Sequence, residues 1–257
     1  MTASESYGAF AYAYDQALGS RYFRAVRRLL VESLERYPAD GTHLDVACGT
    51  GLAMPFFASR GFVSTGVDLS TVMLQVARGR AQRLVAGDTR ALPFRGTFSR
   101  ITCLYDSLNH LLHPPDLAVA FREIARVMNS ESQFLFDMNH PEIYPAVWGM
   151  KEPFVDEGPD FHLEIATTYR KREKLGRALV TGWAMLHGKR VSIHERHTQR
   201  CYERDEIVAA LSQGGLDPVE EYEFDPWLEG RTVKLFFVCR RIGARAETTQ
   251  PPWRPRT

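Results

Sequence analysis

Apolar and polar positions divide the chain into two patterns, the first of which ends at Asn139. Short apolar runs of strand length lie at 43–47, 62–67, 83–86, 98–105 and 133–137. Between them apolar residues recur with helical spacing, as at Leu117, Phe121, Ile124 and Met128, and predict helices over 7–36, 52–59, 71–79 and 117–128. Strands that alternate with helices predict a parallel sheet covered on both faces.

The second pattern consists of longer segments in which apolar and polar residues alternate. These segments lie at 162–172, 178–187 and 190–201, and short turns at 174–177 and 188–189 separate them. They predict an inserted sheet of three antiparallel strands. A helix over 205–214 and strands over 216–224 and 232–241 follow, and the proline- and arginine-rich residues 247–257 are typical of a disordered tail.

The composition is that of an ordinary globular protein. Of the 257 residues, 44% are hydrophobic and 25% are charged, and the net charge is +1, so no overall field attracts nucleic acid or an anionic membrane. No apolar run approaches the roughly 20 residues that span a bilayer, and residues 1–6 have neither a basic start nor an apolar signal core. We expect a cytoplasmic protein without nucleic-acid or membrane partners.

The cysteines give no sign of a metal site. Cys48, Cys103, Cys201 and Cys239 form no C-x-x-C pair, and no group of His and Cys has zinc-ligand spacing. Cys103 and Cys239 lie in predicted buried strands, where a thiol behaves as a small hydrophobe. This usage fits a reducing compartment, and we expect no bound metal.

A glycine-rich turn follows the first apolar run. Residues 45–51 read D-V-A-C-G-T-G, and Asp68 ends the second apolar run. This layout is typical of a nucleotide-binding βαβ unit, in which glycines let the backbone approach the ligand and an acid receives the ribose hydroxyls. A dinucleotide site needs a third glycine where this chain has Met54, so an NAD-dependent dehydrogenase is disfavoured.

The turn has the form D-x-A-x-G-x-G and resembles the first motif of class I S-adenosylmethionine (SAM) methyltransferases, which usually have glycine at the position of Ala47. The order of predicted elements is similar to that family over nearly the whole chain. The resemblance implies an α/β fold: a Rossmann-like, seven-stranded, mostly parallel sheet with an antiparallel last strand, plus an inserted antiparallel β lid. It also implies a SAM-binding core at 1–139 and 202–246 and a lid or substrate region at 140–201.

The same resemblance assigns residues to the cofactor, S-adenosyl-L-methionine. It implies that Asp45 positions the ammonium group of the methionine end, that Asp68 receives the ribose hydroxyls and that Asp88 accepts from the adenine amino group. A Tyr-Asp signature at Tyr14 is similar to small-molecule methyltransferases whose first helix folds over the donor, with Tyr22 a second candidate. The predicted cofactor-binding residues are Tyr14, Asp45, Ala47, Cys48, Gly49, Gly51, Asp68, Leu69, Met73, Gly87, Asp88, Thr89, Leu104 and Tyr105.

The loop after the fourth strand faces the sulfonium and the methyl acceptor in this family. A hydroxyl acceptor benefits from a base with a pKa near neutrality, whereas a neutral amine needs only alignment. Two lid arginines would suit a carboxylate or phosphate on the substrate. The predicted catalytic residues are Tyr105, Asp106, His110 and His140. The predicted substrate-binding residues are Asn109, His110, Asn139, Arg196, His197, Arg200 and Tyr202.

These features predict a SAM-dependent methyltransferase that acts on nitrogen or oxygen of a small molecule, an amino sugar or another small metabolite. The chain lacks the Asn/Asp-Pro-Pro-aromatic motif of adenine methylation and the Pro-Cys pair of cytosine methylation, which argues against nucleic-acid substrates. Two alternatives stay open: a methyltransferase of RNA or protein, and a non-catalytic SAM-binding protein. The sequence does not determine the oligomeric state, and a homodimer also stays open.

Overall fold

The computed structural model describes residues 8–225 and 233–244, so the predicted tail at 247–257 lies outside the described residues. The strands are β1 (Thr42–Val46), β2 (Val63–Asp68), β3 (Leu84–Ala86), β4 (Phe98–Cys103), β5 (Met128–Asn139), β6 (Phe154–Gly158), β7 (Phe161–Arg170), β8 (Leu175–Leu186), β9 (Lys189–Arg200), β10 (Leu216–Phe224) and β11 (Lys234–Arg241). The α-helices are α1 (Ala11–Tyr14), α2 (Ser20–Arg36), α3 (Met54–Ala58), α4 (Thr71–Ala77), α5 (Pro114–Arg126) and α6 (Arg204–Gly214).

Seven strands form one sheet in the order β10-β11-β5-β4-β1-β2-β3. Strands β5, β4, β1, β2 and β3 are parallel neighbours, and β11 is antiparallel to both β5 and β10. The central strands are buried on both faces, which explains why they read as apolar runs in the sequence. The predicted fold class is confirmed, including the antiparallel last strand.

Helices cover both faces of this sheet. On one face, Phe121 of α5 packs with Phe136 of β5 and Phe237 of β11, and the last two rings are stacked with centroids 4.9 Å apart. On the other face, Leu30 of α2 packs in a second core with Phe236 of β11. None of the helices in the described part of the chain has the length and apolar character needed to cross a bilayer.

The lid, which we define as the antiparallel sheet β6-β7-β8-β9, is inserted between β5 and α6. The three predicted strands correspond to β7, β8 and β9, but the predicted number is wrong because β6 adds a fourth. Strand β6 is an edge strand that pairs only with β7 and leaves Phe154 and Val155 exposed. It therefore lacks the buried alternation that marks the other three strands in the sequence.

The N-terminal helical segment is fastened to the lid. Phe10 and Ala13 pack against Leu163, Val180 and Ile193 of the lid strands. The segment predicted to be helical over 7–36 is helical from Ala11 to Arg36, with a π-helical turn at Asp15–Gly19 between α1 and α2. Single π-turns within helices are frequent at functional sites. This one lies beside the glycine-rich turn at residues 45–51, which we call the motif turn.

The lid hairpin depends on Gly182 in β8. Its φ is +139°, and a Cβ at this position would lie 1.9 Å from the carbonyl oxygen of His162 on β7. We expect Gly182→Ala to lower the free energy of unfolding by about 2 kcal/mol or more in urea titrations. Gly96→Ala is the control, because no atom lies within 4 Å of its Cβ. Equal stabilities of the two variants would contradict this account.

Candidate active site

A large cleft lies at the carboxyl ends of the central strands, between the main sheet and the lid. Its volume is about 1380 Å³, more than the roughly 300–1,000 Å³ of typical small-molecule pockets. The walls come from the motif turn, the ends of β2 and β4, the N-terminal helical segment and the lid. The carboxyl edge of a parallel sheet is where open α/β folds bind their ligands, and the cleft has room for two of them.

The motif turn exposes its backbone to the cleft. Ala47, Gly49 and Gly51 have φ values of +52°, +54° and +77°. Ala47 is thus held in a left-handed conformation that only glycine adopts without cost. The Cys48 side chain packs with Met54 behind the turn, and burial raises the pKa of its thiol well above the ordinary value. Cys48 is thus a small structural residue rather than a nucleophile.

Two carboxylates, the buried Asp45 and the half-buried Asp68, stand beside the turn. Asp68 accepts hydrogen bonds from the amides of Gly49 and Ser70, both at 2.8 Å; burial raises its pKa and these bonds oppose the rise. Asp45 accepts from Thr102 Oγ1 at 2.6 Å. Burial raises the pKa of Asp45 to about 7; the charge of Asp68 adds to this rise and the Thr102 hydrogen bond opposes it.

The predicted adenine end is built around an ion pair. Asp88 accepts from the Arg90 guanidinium, with Nη2 at 2.6 Å, and Arg90 also bonds Asp116 at 2.7 Å. The Arg90 bonds lower the pKa of Asp88 and keep it ionised. Leu69, Met73 and Thr89 also line the cleft. Gly87 lies behind it, against Val67 and Pro93.

The N-terminal helical segment is latched onto the motif turn. Thr50 Oγ1 donates to Asp15 Oδ1 at 2.5 Å, and Arg80 Nη2 lies 2.7 Å from Asp15 Oδ2. Arg80 also donates to the Thr50 carbonyl at 2.9 Å. Tyr14 is thereby held over the cleft, edge-on to the ring of Tyr105 with centroids 5.4 Å apart. The structure thus brings Tyr14 to the part of the cleft beside the motif turn, and its contact with the cofactor stays a prediction.

The loop after β4 is held in an unusual conformation by one carboxylate. Tyr105 and Asp106 have φ values of +62° and +48°, which non-glycine residues seldom adopt. The Asp137 carboxylate accepts from the amides of both residues, at 2.5 and 2.9 Å, and from the hydroxyl of Tyr22. The turn directs Tyr105 toward the cleft and Asp106 into the interior.

Lys234 of β11 balances the charge behind this loop. Its Nζ contacts Asp106 Oδ1 and lies 3.3 Å from Asp137 Oδ2, and all three side chains are buried. Burial raises the pKa of Asp137, and the charge of Lys234 opposes that rise. We call Asp106, Asp137 and Lys234 the ion cluster. With all three groups ionised, it carries one excess negative charge.

Strand β9 directs polar side chains toward the part of the cleft next to the loop after β4, which we call the acceptor side. Strand alternation buries Glu195, His197 and Gln199 together. Glu195 accepts from the Phe10 amide at 2.9 Å and lies 3.5 Å from His197. Gln199 donates to Asp106, so the lid is bonded directly to the ion cluster. Of these residues, Glu195 and His197 line the cleft.

His110 faces the same part of the cleft. Its Nε2 lies 3.4 Å from the amide nitrogen of Gln199, and its ring centroid is 6.3 Å from that of His197. Burial is the main reason that the pKa of His110 is lowered to about 4. The imidazole is therefore neutral at physiological pH, so it can accept a hydrogen bond from a ligand.

Only some predicted acceptor-side residues reach the cleft. Tyr105, His110, Arg196 and His197 line it. The others lie behind its wall: Asp106 in the ion cluster, Asn109 bonded to the Arg200 carbonyl, Asn139 bonded to Gln199, His140 beside Glu223, Arg200 beside Glu206, and Tyr202 bonded to the Leu111 carbonyl. The sequence located the right loop and strand but not the direction of each side chain.

Several residues of the site carry no local signal in the sequence. Lys234 sits in an apolar final strand, and Arg80 and Arg90 lie in unremarkable turns. The strict alternation of β9 could have separated Glu195 and Gln199 from Arg196 and Arg200, because neighbours in a strand point to opposite faces. The functional residues that sequence reasoning missed are Asp15, Arg80, Arg90, Asp137, Glu195, Gln199 and Lys234.

Residues 44–131 match the family described as a methyltransferase domain. The chain carries a methyltransferase domain. The matched residues contain the motif turn, Asp45, Asp68 and the loop after β4, whereas Tyr14, which also lines the cleft, lies outside them. The predicted family resemblance, enzyme class and cofactor, SAM, are confirmed.

Related sequences are also methyltransferases. A putative methyltransferase of Bacillus subtilis, YqeM, is 28% identical over 91% of this chain and 97% of its own length. A putative methyltransferase of Geobacillus is 31% identical over 52% of this chain and 58% of that protein. The dTDP-3-amino-3,6-dideoxy-alpha-D-glucopyranose N,N-dimethyltransferase of Streptomyces fradiae is 33% identical over 46% of this chain and 48% of that protein.

Solved methyltransferases share the fold. A SAM-dependent methyltransferase from Clostridium acetobutylicum superposes with a TM-score of 0.77 at 22% identity, covering 91% of this chain and 98% of that one. CalS10, an amino pentose methyltransferase from Micromonospora echinaspora, superposes with a TM-score of 0.67 at 22% identity, covering 86% and 91%. At this identity the likeness concerns the architecture, including the lid.

Removal of the Asp68 carboxylate tests the cofactor side of this methyltransferase. We expect Asp68→Ala to raise the dissociation constant for SAM by about tenfold or more, because a half-buried acceptor is lost to the ribose hydroxyls. Calorimetric titration with SAM measures the effect. Asp160→Ala, in the exposed turn between β6 and β7, is the control and should bind as the unmodified protein does. Unchanged binding by the Asp68 variant would refute the assignment.

Removal of Lys234 tests the ion cluster. We expect Lys234→Met to lower the free energy of unfolding at pH 8 by about 3–5 kcal/mol, because it leaves buried carboxylates without their cation. The loss of Lys234 raises the pKa of Asp137 further. A carboxyl whose pKa is higher in the folded protein than in the unfolded chain destabilises the fold only at pH values at which it is ionised.

The deficit should therefore shrink between pH 8 and pH 5.5 as Asp137 takes up a proton. Urea unfolding at both pH values measures it. Lys189→Met, at the exposed start of β9, provides the control. A deficit of the same size at both pH values would count against the charge-balancing role.

Proposed function

We propose that this methyltransferase transfers the methyl group of SAM to an amine nitrogen of a small molecule, with an amino sugar as the substrate class. The observation that carries the proposal is the Glu195 carboxylate, which is 9% exposed and faces the acceptor side of the cleft beside His197. Among the described residues, no lysine or arginine lies within ion-pair distance of Glu195. A buried carboxylate in such a setting suits an amine.

The residues of the cofactor half fit SAM. Asp45 and Asp68 offer carboxylates for an ammonium group and for ribose hydroxyls, and the motif turn offers open backbone beside them. Leu69 and Met73 offer apolar contact for a base. When bound, SAM supplies a methyl group on a sulfonium sulfur, and the C–S bond breaks as the acceptor's lone pair forms the new bond.

Charge on the acceptor side favours nitrogen. Burial disfavours the ionised form of Glu195, but the nearby His197 imidazole and the hydrogen bond from the Phe10 amide outweigh burial and lower the pKa of Glu195. Glu195 is therefore a carboxylate throughout the neutral range. Positive charge develops on an amine nitrogen as it accepts a methyl group, and a fixed carboxylate stabilises that charge.

The state of His110 also supports an amine over a hydroxyl. A hydroxyl acceptor must lose its proton during transfer, and the best base for this has a pKa near the working pH. The pKa of His110, about 4, makes it a weak base there. A neutral amine instead donates its N–H hydrogens to Glu195 and His110 and keeps its lone pair for the methyl group. Alignment of this kind supplies much of the rate in a displacement.

Two further observations support an amino sugar. The related enzymes of S. fradiae and M. echinaspora act, by their names, on an amino sugar nucleotide and an amino pentose. In this chain, Arg177 and Arg196 line the lid side of the cleft, and guanidinium groups suit phosphate. A nucleotide-linked amino sugar carries both an amine and phosphates, the groups that Glu195 and these arginines suit.

Paired acceptors and one variant test the proposal. With labelled SAM, we expect methylation of nucleotide-linked amino sugars and little methylation of the same sugars that carry a hydroxyl in place of the amine. Glu195→Gln should lower kcat by about tenfold or more with little change in SAM affinity. Glu157→Gln is the control, because its side chain is 77% exposed on β6. Preferred methylation of the hydroxyl sugars, or full turnover by Glu195→Gln, would overturn the proposal.

A further inference from the structure

A row of polar side chains crosses the buried face of the main sheet beneath the cofactor turn. His43 and Asp45 are two residues apart on β1 and share one face. Thr102 of β4 is the register partner of Asp45, and Ser64 of β2 is the partner of His43. His43 and Thr102 are fully buried and Asp45 is 3% exposed. Parallel strands covered on both faces are ordinarily apolar, so this row requires an explanation.

The four side chains form one hydrogen-bonded chain. Ser64 Oγ lies 3.1 Å from His43 Nδ1, His43 Nε2 lies 2.8 Å from Thr102 Oγ1, and Thr102 Oγ1 lies 2.6 Å from Asp45 Oδ1. The His43 ring stacks on Phe57 with centroids 3.8 Å apart, which fixes its plane. The chain ends at Asp45, a cleft-lining carboxylate.

The direction of each bond follows from the charge of Asp45. An ionised carboxylate only accepts, so the single Thr102 hydroxyl hydrogen is donated to it. Thr102 must then accept from His43 Nε2–H, which leaves Nδ1 to accept from Ser64. Burial, with the charge of Arg100, lowers the pKa of His43 well below its ordinary value, so the ring is neutral as this arrangement requires.

We propose that Thr102 and His43 are positioning residues for the cofactor: they hold the Asp45 carboxylate in the orientation and charge state that receives the ammonium group of SAM. The proposal depends on SAM as cofactor and not on the identity of the methyl acceptor. Binding therefore tests it without any turnover, and its failure is distinct from a failure of the proposed amine substrate.

The pH dependence of binding is the sensitive readout. The pKa of Asp45 is about 7, raised by burial and by the charge of Asp68 and held down by the Thr102 bond. Binding to ionised Asp45 therefore weakens as the pH falls below about 7. The neighbouring titratable groups are Asp68 at the end of β2 and the thiols of Cys48 and Cys103, whose pKa values are raised by burial. Among the described residues, the Thr102 hydroxyl is hydrogen-bonded to Asp45 and His43 and to none of these three side chains.

The experiment compares calorimetric SAM titrations between pH 5.5 and 7.5. Thr102→Val removes the hydroxyl. We expect the acid limb, the pH range in which SAM affinity falls as Asp45 is protonated, to move up by about one pH unit. We also expect the dissociation constant at pH 7 to rise about fivefold or more. Thr102→Ser restores the hydroxyl and should behave as the unmodified protein does. Thr65→Val, a neighbour on the opposite face of β2, is the matched control.

A second variant keeps the test informative if Thr102→Val does not fold. His43→Phe keeps an aromatic ring to stack on Phe57 but removes the Nε2–H donor, and we expect a smaller shift of the acid limb in the same direction. Coincident acid limbs for Thr102→Val and Thr102→Ser, or an unshifted limb for His43→Phe, would overturn the proposal. So would the absence of any acid limb near pH 7 in the unmodified protein.

Discussion

The acceptor side of the cleft depends on the buried Asp137 carboxylate and its compensation by Lys234. Asp137 receives the amides of Tyr105 and Asp106, and so holds two consecutive residues in a conformation that costs about 1 kcal/mol or more at each. Lys234 makes this concentration of negative charge tolerable. Since the contributing side chains come from β5, β11 and the loop after β4, the loop geometry exists only when the sheet is complete.

The cofactor side of the cleft also depends on carboxylates that are removed from water. Asp45 and Asp68 are desolvated, and each is stabilised by hydrogen bonds from the adjacent strand or turn rather than by a cation. Burial raises both pKa values, which means that the ionised forms are incompletely satisfied in the protein alone. Under the assignment proposed above, an ammonium group and a pair of hydroxyls are the missing partners, so the cost of burial becomes affinity for a ligand of that chemistry.

Bonds between distant segments join the two halves of the cleft. Asp15 ties the N-terminal helical segment to the motif turn through Thr50, and the Phe10 amide ties the same segment to Glu195 on the lid. Gln199 ties the lid to the ion cluster. The wall that faces the acceptor is therefore fixed by the segment that covers the cofactor turn. The acceptor wall and the cofactor wall form one connected structure, which suits a reaction that requires two ligands in line.

The sequence by itself determined the alternation of strands and helices, the motif turn, and the acids at the ends of the first strands, because these follow from hydrophobic periodicity and local turn chemistry. Only the tertiary structure decided which polar side chains face the cleft. Lys234 and Asp106 meet across 128 positions of the chain, and two left-handed residues turn Asp106 inward. Strand pairing also aligns Thr102 with Asp45. A local pattern encodes the period of an element, whereas the partner of a buried charge is set by packing between elements.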